Sequence, residues 1–122
     1  MKLVDTSVWL RFFNDRQPSA KTTELRELIR TGEAAFCDLV RLELQGCRQT
    51  ENRAIQLLVD TLPMLEHSPE AWERACLLAR KCRKLGKSVP NTDILIQATA
   101  LEHKCEVLHE DKHFAILSQL EE

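Results

Sequence analysis

The sequence predicts an α/β fold: a central, mainly parallel sheet of four to five short strands flanked by helices on both faces. Three observations lead there. Short apolar runs alternate with longer stretches of helical periodicity along the chain. Hydrophobic residues make up 43% of the 122 residues, enough to fill one core. Only three glycines and four prolines are present, which implies short loops and regular elements. No linker, repeat or low-complexity tract interrupts the pattern, so residues 1–122 read as one domain.

Residues 2–5 form a short buried strand, and Thr6-Ser7 are good residues for starting a helix. The compact apolar helix that follows runs to Phe13 and carries Trp9. Residues 19–31 form an amphipathic helix with Leu25, Leu28 and Ile29 on its inner face and Gly32 as its stop. Ala34-Ala35-Phe36-Cys37 is the second strand. Helices over 39–48 and about 51–61 come next, and Pro63 leads into the short apolar stretch Met64-Leu65. Over 69–85, Ala71, Trp72, Ala75, Cys76, Leu78, Ala79 and Cys82 recur at the spacing of one helical face. Gly86 ends that helix, and Pro90 separates it from an apolar helix over 92–103. Residues 105–108 form a late strand, and a terminal helix spans about 111–120.

Seventeen basic against 19 acidic residues leave a formal net charge of −2. Binding to nucleic acid through bulk positive charge is therefore excluded, and any such contact needs a local basic patch. The five cysteines, at 37, 47, 76, 82 and 105, show no metal-ligand spacing. An odd number without a signal peptide suits free thiols in a reducing, cytoplasmic setting. The apolar runs are too short to span a membrane.

In parallel sheets, ligands bind beyond the carboxyl ends of the strands. Four acids are expected at that edge. Asp5 ends the first strand, and Asp111 stands just past the late one. With Val40 at 0°, helical projection puts Glu43 at about −60°, inside an apolar arc from Leu39 to Cys47. Asp93 opens a helix that is apolar nearly all round, so it needs a partner or an open site. Singly, each acid has a simpler reading: Asp5 as a helix cap, Asp93 as a response to the helix dipole, Glu43 as a partner of Arg11, Asp111 as a turn residue. Together, and without matching lysines, they would repel one another unless a divalent cation joined them. All-oxygen ligands select Mg²⁺ or Mn²⁺, whose chemistry here would be phosphodiester hydrolysis. The hydroxyls of Thr6 and Ser7 are placed to support the acids, or simply to cap the helix.

The segments Leu3-Val4-Asp5-Thr6-Ser7-Val8-Trp9-Leu10, Leu42-Glu43-Leu44, Val89-Pro90-Asn91-Thr92-Asp93 and Leu108-His109-Glu110-Asp111-Lys112-His113-Phe114 resemble the PIN domain. Within it, the chain is most similar to VapC toxins of type II toxin–antitoxin pairs. The resemblance runs from about residue 3 to about 117. It implies that Asp5, Glu43, Asp93 and Asp111 bind metal, with Thr6 supporting them. It further implies Mg²⁺- or Mn²⁺-dependent RNA cleavage, a homodimer and a small cognate antitoxin. Two positions depart from the family pattern: His109 stands where many relatives carry threonine, and His113 where many carry a second aspartate. For both, a surface histidine near the site is the simpler reading; a phosphate contact or proton carrier is the functional one.

Arg80, Lys81, Arg83, Lys84 and Lys87 put five basic residues and no acid into eight positions. They offer phosphate contacts beside an acidic centre, or an ordinary solvated helix face. Arg11 and Arg41 are further phosphate-contact candidates. The absence of tyrosine argues against a base-stacking platform. Trp9 and Trp72 read as core or dimer-contact residues, and Cys47, Cys76 and Cys82 as inner-face residues. A catalytic Cys–His pair is disfavoured because no cysteine is expected at the acidic edge. Two rivals to a nuclease are a PIN-fold module that only binds an antitoxin or RNA, and a receiver-like phosphoacceptor. The latter lacks its adjacent acid pair and its lysine.

Overall fold

A computed structural model describes residues 1–14, 18–46 and 53–120. The chain order is β1 (Lys2–Val4), α1 (Thr6–Phe13), α2 (Ala20–Thr31), β2 (Ala34–Cys37), α3 (Asp38–Gln45), α4 (Arg53–Thr61), β3 (Met64–Leu65), α5 (Pro69–Lys84), α6 (Asn91–Glu102), β4 (Glu106–Leu108) and α7 (Lys112–Gln119). The four strands pair in parallel in the order β3-β2-β1-β4. Lys2 stands opposite Ala34 on one side and Glu106 on the other, and Phe36 opposite Met64.

The order of the strands decides where a ligand can bind. The chain steps from β1 to β2 to β3 in one direction, then returns across the sheet to place β4 on the other side of β1. With right-handed crossovers, that reversal moves the connecting helices from one face to the other. In such sheets the binding crevice is expected at the carboxyl ends of β1 and β4, where the direction changes. The Asp5 N–H donates to the Leu108 carbonyl at 2.9 Å, which ties the two strand exits together.

The two central strands are buried on both faces, as parallel strands between helices must be: Leu3, Val4 and Ala34 to Cys37 have no solvent exposure. Trp9 is equally buried and stacks on Phe36 at 4.6 Å between ring centroids. Helix ends follow local chemistry. Ser19 and Thr22 form a reciprocal cap at the start of α2, and Gly32 ends it at φ 73°, a left-handed conformation that suits glycine. Ser68 caps α5, with Pro69 in its first turn. Helix α6 is buried continuously from Ile94 to Ala100, as its all-round apolar sequence requires.

Helix α5 corrects the seven-residue face. Ala71, Ala75, Leu78 and Cys82 are its buried residues, whereas Trp72 is 53% exposed and Cys76 is exposed. Trp72 and Cys76 fall about 100° and 140° around the helix from Ala71, outside the narrow arc that meets α6. Cys47 lies outside the described residues.

Candidate functional site

Asp5 follows directly on β1 in extended backbone and caps α1. Its Oδ2 accepts from the Ser7 N–H at 3.2 Å and from the Ser7 hydroxyl at 2.6 Å. The residue is 6% exposed. Asp111, two residues after His109, caps α7 in the same way, accepting the His113 N–H at 2.9 Å. The cap reading of Asp5 and its place at the sheet edge are therefore both true. Asp93 lies in the first turn of α6, whose N-cap Pro90 offers no side-chain bond, so the acid faces the positive end of the helix.

His113 joins two of these acids. Its Nδ1 lies 3.1 Å from Asp93 Oδ2 and 3.0 Å from Asp111 Oδ1, and its side chain is only 24% exposed. It is thus a half-buried bridge rather than a surface histidine. Asp93 has its carboxyl pushed above the ordinary range, first by burial and then by the charges of Asp5 and Asp111. The hydrogen bond and charge of His113 act in the opposite sense. Among the described residues, no lysine or arginine forms an ion pair with Asp5, Asp93 or Asp111. One donor atom each from Asp93, Asp111 and His113 lies within 4.8 Å of the others, close enough to hold a metal ion.

Glu43 is placed differently from expectation. It is exposed on α3 rather than inside the apolar arc, because only Val40 and Leu44 of that helix are buried. The Thr6 hydroxyl donates to Glu43 Oε1 at 2.8 Å, so the residue next to Asp5 reaches across to it. Arg11 does not pair with Glu43 but with Glu110 at 2.8 Å, and Arg41 pairs with Asp38 at 3.4 Å.

The basic cluster divides. Arg83 and Lys87 line a cleft of about 370 Å³ that also touches Asn91 and Ile94, at the same end of α6 as Asp93. Lys81 instead donates to the Leu120 carbonyl at 3.2 Å. Arg80 and Lys84 are exposed.

Cys37 does stand at the carboxyl edge, at the end of β2, contrary to expectation. Burial pushes its thiol up to about 11, so it is no nucleophile at neutral pH. His109 is half-buried with its ring 5.0 Å from Phe114. Its buried Nδ1 has no hydrogen-bond partner among the described residues, and burial lowers its pKa.

Residues 2–120 match the family model described as PIN domain. The VapC ribonuclease Mb1587 of Mycobacterium bovis is 29% identical, with 98% of this chain and 93% of that protein covered. Ribonuclease VapC19 of Mycobacterium tuberculosis is 30% identical, with 99% and 98% covered. Among solved structures, VapBC-1 from nontypeable Haemophilus influenzae superposes with a TM-score of 0.76 at 20% identity, covering 97% of this chain and 92% of that one.

Proposed function

The chain belongs to the PIN-domain family and, within it, to the VapC ribonucleases, and we propose that it is an Mg²⁺- or Mn²⁺-dependent endoribonuclease. In this reading one PIN domain spans residues 1–122 and acts in the cytoplasm as the toxin of a type II toxin–antitoxin pair. Its partners are an RNA substrate, a small cognate antitoxin and a second copy of the chain. The observation that carries the reading is the gathering of Asp93, Asp111 and His113 donor atoms within 4.8 Å of one another beside the ends of β1 and β4.

That donor set fits a hard divalent ion: carboxylates converge, and no lysine or arginine among the described residues neutralises Asp5, Asp93 or Asp111. Asp5, Asp93 and Asp111 would hold the ion, and Glu43 would complete the set from across the crevice. When bound, such an ion supplies positive charge beside the scissile phosphate and makes a water more acidic.

The remaining work falls to the chain's own residues. Ser7 locks the Asp5 carboxylate through two hydrogen bonds, and Thr6 orients Glu43. Arg83 and Lys87, with Arg80, Lys81 and Lys84 beyond them, offer phosphate contacts along the α5–α6 cleft. Water attacks phosphorus directly and the phosphodiester oxygen leaves, without a covalent enzyme intermediate.

Cleavage of a total RNA pool by purified chain, in Mg²⁺ and in Mn²⁺, tests this. Products that vanish with a chelator and with Asp5→Asn are expected; asparagine can still cap α1, so the fold survives. A folded chain that neither cuts RNA nor binds Mn²⁺ would sink the nuclease reading and favour a module that only binds.

A further inference from the structure

We infer that His113 is itself a metal ligand, and that Asp93, Asp111 and His113 form a mixed oxygen–nitrogen site that favours Mn²⁺ or a later transition ion over Mg²⁺. This rests on the divalent-ion reading above and goes beyond it by naming a nitrogen donor and a metal preference.

His113 Nδ1 lies 3.1 Å from Asp93 Oδ2 and 3.0 Å from Asp111 Oδ1. Neighbouring donors on an octahedral ion with bonds of about 2.1 Å stand roughly 3 Å apart, so Nδ1 already has ligand spacing to each carboxylate, and the three donors together lie within 4.8 Å of one another. All three are held by the helices that carry them. Asp111 is fixed as the cap of α7, Asp93 by the buried helix α6, and His113 by its place in the first turn of α7, where its N–H bonds Asp111.

The nitrogen decides the preference. A neutral imidazole presents a lone pair, which transition ions accept readily and Mg²⁺ poorly. The alternative role for His113 is a hydrogen-bonded spacer that shares one N–H between two carboxylates and never touches an ion.

Pulsed electron paramagnetic resonance on Mn²⁺ bound to the intact chain separates these roles, because it detects nitrogen bonded directly to the ion. Nitrogen coupling is expected in the wild type. It should disappear in His113→Asp and His113→Gln, with His113→Asp still binding Mn²⁺. Competition titration should show the Mn²⁺-over-Mg²⁺ preference falling at least about tenfold in His113→Asp. Bound Mn²⁺ without nitrogen coupling, or coupling that survives both substitutions, overturns the inference and leaves the divalent-ion reading standing. A folded wild-type chain that binds no Mn²⁺ overturns both.

Discussion

His67 offers a sharp test of how the site is held, because it ties together the helices that carry Glu43 and Asp93. Its Nε2 accepts the Leu39 N–H at 3.2 Å, and its Nδ1 lies 2.7 Å from the Thr99 hydroxyl. The first contact caps α3, whose own N-cap residue Cys37 makes no side-chain bond. Nε2 must therefore be unprotonated, with the ring proton on Nδ1 and donated to Thr99. Replacing His67 by alanine orphans one helix N–H and a fully buried hydroxyl. An unsatisfied buried group costs about 1–3 kcal/mol, and because both contacts are only part-buried the lower half of that range applies, giving a loss of roughly 2–3 kcal/mol for the pair. In a domain of this size that lowers Tm by about 10 °C.

The effect also has a pH signature. Burial lowers the His67 pKa from 6.5, outweighing Asp38, which raises it; His103 adds to the lowering, and Trp72 meets the ring edge-on. The unfolded chain thus takes up a proton that the fold resists, and stability present above pH 6.5 is lost as pH falls below it. Urea melts of wild type and His67→Ala at pH 8 and pH 5 provide the assay. The difference between the two proteins should be largest at pH 8 and shrink toward pH 5. Equal midpoints at pH 8, or a gap that widens on acidification, would refute the capping argument.

Ser7→Ala removes the 2.6 Å bond to Asp5; about 1 kcal/mol of stability and roughly tenfold in cleavage rate should go with it, as read by urea melts and RNA turnover. In the native protein a thiol reagent should modify exposed Cys76 within minutes, while buried Cys37 reacts only on unfolding, as mass spectrometry of the labelled peptides would report. Arg83→Glu with Lys87→Glu should weaken RNA binding and reduce the salt dependence by about 0.7 per lost phosphate contact, leaving Tm within ~1 °C. Trp9→Ala deletes the ring stacked on Phe36 and should cost about 3–5 kcal/mol in a denaturant melt.

Strands and helices were legible wherever burial is uniform. Ala34 to Cys37 and Ile94 to Ala100 are apolar because every side of them meets protein, and composition alone reports that. Projection around a helix gives an angle but not the width of the buried arc. Trp72, Cys76 and Glu43 all lie on the flank of an apolar stripe, and all three prove exposed. The convergence of Asp5 and Asp111 followed from strand ends, which a sequence marks well. The role of His113 did not, since it depends on α7 beginning at Lys112 and turning the ring back over the cap residue.

The caps show why function and folding were hard to separate from single residues. A capping aspartate sits in non-helical backbone at the end of its strand, with its carboxylate drawn back over the first turn. In Asp5 and Asp111 that local rule also delivers an immobilised anion to the crevice between β1 and β4. Asp93 plays no such part; it is half-buried, its carboxyl is raised first by that burial and then by Asp5 and Asp111, and a helix end and His113 oppose the rise. Capping accounts for two of these acids, and a helix end together with His113 offsets the charge of the third. Positive charge at this edge, as the proposed divalent ion would bring, would favour the Asp93 anion that burial, Asp5 and Asp111 oppose.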